Sequence, residues 1–226
     1  MNTRAVVFDY FGTLNPTIVM MVTDAERRAV GVALGVDPDE LEAQWRATFV
    51  ARSTGRTGDL TATLRTLATR AGGAPTDAGL AEAARIRAAA YRRSAQPRPD
   101  TVAVLEALRD KGLRLAVVSD CAMELVTIWP ALPVADRVDA TVFSALVGRR
   151  KPDPLMYRLA CERLNVPPED CLYVGDGGSG ELTGAATAGM RPVLLADADW
   201  STGHRYDQDT WHGKAIHELN DVLGLV

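Results

Sequence analysis

The sequence predicts an α/β fold: a Rossmann-like, doubly wound parallel sheet core with an inserted four-helix cap. Three features carry this. Short apolar runs recur and end in small or polar residues, helical patterns separate them, and one long stretch, residues 15–97, contains no strand-like run at all.

The runs are Ala5–Phe8, Leu113–Val118, Cys171–Val174 and Pro192–Leu195, with a weaker one at Ala140–Phe143. They are apolar throughout rather than alternating, as expected of strands buried on both faces of a parallel sheet. Helices are expected over Thr101–Lys111, Pro154–Leu164 and Glu181–Ala188, each feeding the next run. Residues 15–97 are rich in Ala, Arg, Glu and Leu, and four helices are expected there, over Asp24–Leu34, Asp39–Ala51, Asp59–Arg70 and Asp77–Ser94. Gly35, Gly55, Gly58 and Gly72-Gly73 punctuate them. Gln96-Pro-Arg-Pro99 reads as the return linker, because proline cannot continue a helix. The expected division is therefore 1–14 and 98–226 for the core and 15–97 for the cap.

Composition narrows the function. The 226 residues are 47% hydrophobic and 24% charged with a net charge of −4, which suits a globular protein and disfavours nucleic-acid or membrane partners. Residues 15–97 hold 11 Arg, no Lys and 9 acidic residues, hence +2, which leaves the core at −6. A weakly basic lid over an acidic-residue site suits a small anionic substrate. Most of those arginines are equally served by surface ion pairs. Cys121, Cys161 and Cys171 are too few and odd in number for a disulfide framework, so a reducing, cytoplasmic location is expected. The run Ala5–Phe8 is too short for a signal-peptide core, and no run reaches the roughly 18 residues of a membrane span. Monomer and homodimer both stay open.

Acidic or polar residues follow the runs directly: Asp9 after the first, Ser119-Asp120 after the second, Asp176 after Gly175. The carboxyl ends of parallel strands form the ligand crevice of an open sheet, so these groups should converge there. Asp9 and Asp176 would repel unless a cation such as Mg²⁺ lies between them. Lys151, in Arg149-Arg-Lys-Pro-Asp153, offers a point charge for an anionic nucleophile or transferred group.

Phe8-Asp-Tyr-Phe-Gly-Thr-Leu14, Val117-Val-Ser119, Lys151-Pro-Asp-Pro154 and Tyr173-Val-Gly-Asp-Gly-Gly-Ser-Gly-Glu-Leu-Thr-Gly-Ala185 together resemble, in order, the four motifs of the haloacid dehalogenase superfamily of hydrolases. The resemblance covers nearly the whole chain and implies roles. Asp9 would be the nucleophile, forming a covalent intermediate. Gly12 would permit the turn after the strand, and Thr13 and Ser119 would donate hydrogen bonds. Lys151 would hold Asp9 ionised and stabilise developing charge. Mg²⁺ would be ligated by Asp9, Asp176 and the backbone carbonyl of Phe11, with Glu181 acting directly, through a water, or as a helix-start residue. The implied activity is a Mg²⁺-dependent phosphatase acting on a small phosphorylated metabolite.

One departure matters. Phosphatases of the superfamily usually carry a second Asp two residues after the nucleophile, which protonates the leaving group; here that position is Phe11. Asp120, Asp24 and His204 are candidate substitutes, or the leaving group needs no proton, as with an acyl phosphate or anhydride. A 2-haloacid dehalogenase is the alternative, because those enzymes resemble this chain in placing an aromatic residue there and a Trp-Arg pair in the cap, matched by Trp45-Arg46. Retention of Asp176 and Glu181 favours metal-assisted chemistry instead. A catalytically weak phosphate-binding or regulatory protein is a third reading. Phosphonate hydrolases require a cap lysine, and residues 15–97 contain none. Arg52 and Arg56, in the loop Ala51–Gly58, are candidate substrate contacts, as are Arg46 and Asp120. Gly175-x-Gly-x-x-Gly180 fits a dinucleotide fingerprint, with Asp197 downstream. It begins only 51 residues from the end of the sequence, too few for two mononucleotide halves, and leaves Asp9, Ser119 and Lys151 unexplained.

Overall fold

A computed structural model describes residues 3–16, 22–196, 209 and 211–226. Six parallel strands form one sheet in the order β3-β2-β1-β4-β5-β6, with β1 Ala5–Phe8, β2 Arg114–Ser119, β3 Ala140–Phe143, β4 Cys171–Gly175, β5 Arg191–Leu195 and β6 Ala215–Ile216. Every expected run is a strand. The two-residue β6 was not expected; Ala215-Ile216 is too short to show a period.

The uniform apolarity of the strands has a direct cause. Successive side chains enter opposite layers. Val6, Phe8, Leu115, Val117, Leu172 and Val174 pack into one core, and Ala5, Val7, Ala116, Val118, Cys171 and Tyr173 into the other. Helices α6 (Thr101–Asp110) and α9 (Pro154–Leu164) cover opposite faces, while α10 (Glu181–Thr187) packs on β4 and β5. Two short helices, α7 (Met123–Ile128) and α8 (Ser144–Val147), follow β2 and β3 and were not expected.

The insertion comprises α1 Asp24–Leu34, α2 Pro38–Ala47, α3 Phe49–Ser53, α4 Leu60–Arg70 and α5 Asp77–Ser94, around its own core of Val30, Leu34, Leu41, Trp45, Leu64, Leu67, Leu80 and Ile86. Start signals are local. Thr23 and Glu26 form a capping box, and Asp37, Asp59 and Thr76 accept from backbone N–H groups of their first turns. The expected helix over Asp39–Ala51 is corrected: it begins at Pro38 and breaks at Thr48, making five helical segments rather than four. The Thr48 hydroxyl lies within reach of the carbonyls of Gln44 (2.9 Å) and Trp45 (3.1 Å), adding side-chain competition to the backbone bond from Thr48 N–H to Gln44 (3.2 Å) where the helix ends.

The two connections between insertion and core are stitched together. Asn15, fully buried, donates to the carbonyls of Ser94 (2.7 Å) and Gln96. Tyr10 donates to the Ala95 carbonyl at 2.5 Å, and Arg98 donates to Thr13 (2.7 Å) and Gly12 (3.1 Å) carbonyls. Asn15→Ala would remove the donor to one buried and one partly buried acceptor, at a cost of about 1–3 kcal/mol. Urea denaturation should show that loss of stability with an unchanged m-value.

Candidate active site

β1 lies between β2 and β4, so the residues that leave these three strands are neighbours. Asp9 continues the ladder by donating its N–H to the Val174 carbonyl (2.9 Å), which fixes the loop that carries its carboxylate. Gly12, at φ 85°, then turns the chain in a conformation glycine tolerates. Ser119 ends β2 and Asp176 follows β4. One carboxylate oxygen each from Asp9, Asp176 and Glu181 lie within 4.8 Å of one another, all three residues buried.

Lys151 joins this cluster from the loop ahead of α9. Its Nζ is 2.6 Å from Asp9 Oδ1 and 2.5 Å from Glu181 Oε2. Asp120 braces that loop, accepting from the Lys151 backbone N–H (2.9 Å) and from Arg150 (3.2 Å). Asp120 was expected to meet substrate or supply a proton; with both oxygens engaged it is placed instead to position Lys151. Glu181 opens α10 and accepts from Lys151, from the Tyr173 hydroxyl (2.8 Å) and from the Gly177 N–H (2.9 Å). Its oxygens are therefore committed to protein donors. Asp176 accepts from the Gly178 N–H through Oδ1 (2.9 Å), leaving its second oxygen directed to other use.

The electrostatics follow from burial. Desolvation pushes Asp9 up to about 6, against the pull of Lys151 and reinforced by Asp176. Burial likewise holds Glu181 well above the carboxylate range despite Lys151. For Lys151 burial opposes the ammonium, but Asp9, Glu181 and Asp120 more than offset it and raise its pKa. Three acids facing one ammonium leave excess negative charge that a divalent cation would balance. The donors are hard oxygens, as Mg²⁺ requires. Thr13 Oγ1 and Ser119 Oγ are buried without a hydrogen-bond partner among the described residues. Two orphaned hydroxyls, one on the loop that Asp9 opens and one at the end of the neighbouring β2, fit an anionic oxygen-rich group.

The cap residues divide. Arg46 stands on the exposed side of α2, 3.7 Å from Glu42, and Arg56 is exposed in the loop after α3; neither is brought to the cluster. Asp24 is exposed in the first turn of α1, 3.3 Å from Arg27, and His204 lies outside the described residues. Arg52 is buried, its guanidinium 4.3 Å from the Trp45 ring centroid. Arg87 was missed. It is 2% exposed, 3.4 Å from the Trp45 centroid, and burial lowers its pKa to about 10 despite Glu42 and Glu124. A signal existed: Leu80, Ala83, Arg87, Ala90 and Ser94 form the buried stripe of α5, and an arginine interrupts it. One turn further, Tyr91 meets Phe11 edge-on at 6.2 Å, so the position of the absent second Asp is filled by a ring packed against the cap.

This architecture, a first strand ending in a buried acid and followed by a helical insertion, is that of a capped α/β hydrolase. A family model for haloacid dehalogenase-like hydrolases matches residues 3–189, and the chain belongs to that family. It is 30% identical over 132 residues to a glyceraldehyde 3-phosphate phosphatase of Methanopyrus kandleri, covering 58% of this chain and 57% of that protein. It is 29% identical over 201 residues to (S)-2-haloacid dehalogenase 4A of Burkholderia cepacia, covering 85% and 82%. Its fold is similar to the crystal structure of a 2-haloacid dehalogenase from Pseudomonas syringae, with TM-score 0.75, 24% identity and coverage of 100% and 98%. The chain spans about half the length of several other curated relatives it matches. No helix among the described residues is long and apolar enough to cross a membrane.

Two outcomes are expected. A Cβ at Gly175 would sit 2.1 Å from Glu181 Oε1, so Gly175→Ala must expel that carboxylate from its donors. The variant should unfold about 1–3 kcal/mol more easily in denaturant titrations. The second concerns Asp9. Between about pH 4 and about pH 6 the native carboxyl binds a proton that the unfolded chain has released, so its contribution to stability falls as pH rises through that window. Glu181 adds a slope of the same sign. The difference between wild type and Asp9→Asn, followed by denaturation across those pH values in chelator, should isolate the Asp9 slope; parallel curves would contradict it.

Proposed function

We propose that this protein is a Mg²⁺-dependent phosphatase acting on a small phosphorylated metabolite through an aspartyl-phosphate at Asp9. The observation that supports it is the buried set of Asp9, Lys151 and Asp176 beside the two unpartnered hydroxyls of Thr13 and Ser119. The phosphatase relative supports the same substrate class.

In this reading Lys151 keeps Asp9 anionic. An Asp9 carboxylate oxygen forms a bond to phosphorus as the bond to the leaving oxygen breaks. Thr13 and Ser119 donate to the phosphoryl oxygens, where charge builds. Water then attacks phosphorus and releases phosphate, restoring Asp9. Asp9, Asp176 and the Phe11 carbonyl would hold Mg²⁺, with Glu181 positioning Lys151 rather than serving as a direct ligand. When bound, the ion supplies neutralisation of the anionic group that approaches Asp9. The division of labour follows the division expected from sequence: residues 1–14 and 98–226 perform the chemistry, and 15–97 admit the substrate, with Arg52 and Arg87 as the buried cap guanidiniums. The substrate is small and anionic, and neither nucleic acid nor membrane is a partner.

Phe11 has no proton to give. General acid–base help is worth about two to four powers of ten in rate, so the favoured substrates are those whose leaving group departs as a stable anion, such as acyl phosphates and phosphoanhydrides. A Mg²⁺-supplemented screen of acyl phosphates, anhydrides, sugar phosphates and 2-haloacids tests this. Chelator-sensitive phosphate release, fastest with the first two classes, is expected, and Phe11→Asp should raise turnover of simple phosphomonoesters by about tenfold or more. Halide release from 2-haloacids in chelator, with every phosphate intact, would establish the alternative. That dehalogenase reading is favoured by the aromatic residue at position 11 and by the relative aligned over 85% of the chain. The exposed, Glu42-paired placement of Arg46 counts against it.

A further inference from the structure

We propose that Cys161 and Cys171 form a dithiol modification site that exchanges with a small-molecule disulfide and closes into an internal disulfide behind the active site. The proposal is independent of the phosphatase reading.

Cys161 lies in the last turn of α9 and Cys171 opens β4. The chain between them reverses through Asn165, which caps α9 at φ 54° in the left-handed region, and through Pro167-Pro168. This reversal leaves the two sulfur atoms 4.0 Å apart, van der Waals contact for two thiols. A disulfide needs roughly 2 Å, a change within reach of side-chain rotation and small backbone adjustment. Cys121, the third cysteine, sits in the loop between β2 and α7, where burial pushes its thiol up and keeps it inert.

The two sulfurs are not equivalent. Cys161 lines a cavity of about 570 Å³, together with Tyr157, Arg158, Asn165, Val166 and Pro168, whereas Cys171 is fully enclosed. Cys171 Sγ lies 3.4 Å from the Pro167 carbonyl as well as 4.0 Å from Cys161 Sγ. The contact with Cys171 favours the thiolate of Cys161, which is 8% exposed where Cys171 is wholly buried, and raises the Cys171 thiol. Arg158 and Glu162, paired at 3.5 Å, both lie on the cavity wall, a mixed-charge rim that suits a zwitterionic reagent such as glutathione disulfide.

The order of events follows. The Cys161 thiolate attacks one sulfur of the small disulfide, forming a mixed disulfide and releasing one small thiolate. Cys171, after losing its proton to solvent, attacks Cys161 Sγ, forming the internal bond and releasing the second small thiolate. The protein dithiol is oxidised, the reagent is reduced to two thiols, and the two protons given up by the cysteines return to the leaving thiolates.

The location ties this bond to the site. Tyr157, one turn before Cys161, donates to the Glu181 carbonyl (2.9 Å), and Tyr173, two residues after Cys171, donates to the Glu181 carboxylate (2.8 Å). The rings of Tyr157 and Tyr173 meet edge-on at 5.6 Å. The bond would therefore join the two elements whose tyrosines frame Glu181.

The full native chain, incubated with glutathione disulfide and then alkylated, should by mass spectrometry contain one free thiol, at Cys121, and a peptide pair joined through Cys161 and Cys171. Cys171→Ser should stall as a glutathione adduct on Cys161, and Cys161→Ser should give neither product. Cys171→Ala provides the same readout if the serine is not accommodated. Three alkylated cysteines in the native wild type, under conditions where the urea-unfolded chain reacts, would overturn the proposal. So would an adduct formed first on Cys121.

Discussion

The site is organised around one ammonium group held out of water. Lys151 Nζ touches Asp9 and Glu181 at 2.6 and 2.5 Å, with all three side chains buried. Removing such charges from water costs several kcal/mol per ion, and mutual attraction repays it only where geometry is tight and the remaining lone pairs are satisfied. The structure meets that condition by spending other residues on it. Tyr173 and Gly177 complete Glu181, and Asp120 fixes the Lys151 backbone. Gly175 carries no side chain because the Glu181 carboxylate occupies that space. Several residues that look catalytic in a one-dimensional reading are thus supports for the lysine.

That constraint explains why the core tolerates a large insertion. Strand order, with β1 between β2 and β4, brings Asp9, Ser119 and Asp176 to one edge, and the core's own loop before α9 and the start of α10 add Lys151 and Glu181 to the cluster. Nothing in residues 15–97 is needed to assemble it. The insertion has its own apolar core and is joined at two strands of chain that Asn15, Tyr10 and Arg98 tie to one another. It meets the core through specific contacts. Phe49 lies 4.8 Å from the Arg150 guanidinium, and the Gly55 backbone presses on the Ala145 carbonyl so closely that a Cβ would fall 2.2 Å from that oxygen. Arg150 is also held by Asp120, so the cap rests on the same brace that positions Lys151.

What the sequence made legible was whatever has a local signature. The strands were visible because burial on both faces demands apolar residues at every position, and Asp9, Ser119 and Asp176 because each directly follows such a run. Lys151 was visible through its motif, but its bond to Glu181 was not, because nothing near either residue encodes a contact across thirty positions. The cap arginines were less legible. Trp45-Arg46 drew attention to Arg46, whereas the break at Thr48 sets helix orientation so that Arg52 and Arg87 take the two places on Trp45. The break itself was missed because threonine's back-bonding is a three-dimensional choice, compatible in sequence with an unbroken helix.

Phe11 shows how one substitution reshapes both halves of the proposed chemistry. A carboxylate at that position would demand hydration or a donor at the mouth of the site. The ring instead packs edge-on against Tyr10 at 5.1 Å and Tyr91 at 6.2 Å, and Tyr10 in turn meets Trp129 at 5.3 Å. An aromatic wall therefore runs from the core loop to the last cap helix, apolar where the usual acid would be wet. Excluding water strengthens every charge interaction inside, including the hold of Lys151 on Asp9 and on whatever anion approaches it. It does nothing for a leaving group that must acquire a proton. The same ring thus favours bond breaking to a stable anion and disfavours it to an alkoxide, so discrimination among substrates would reside in the leaving group's basicity before the cap reads its shape.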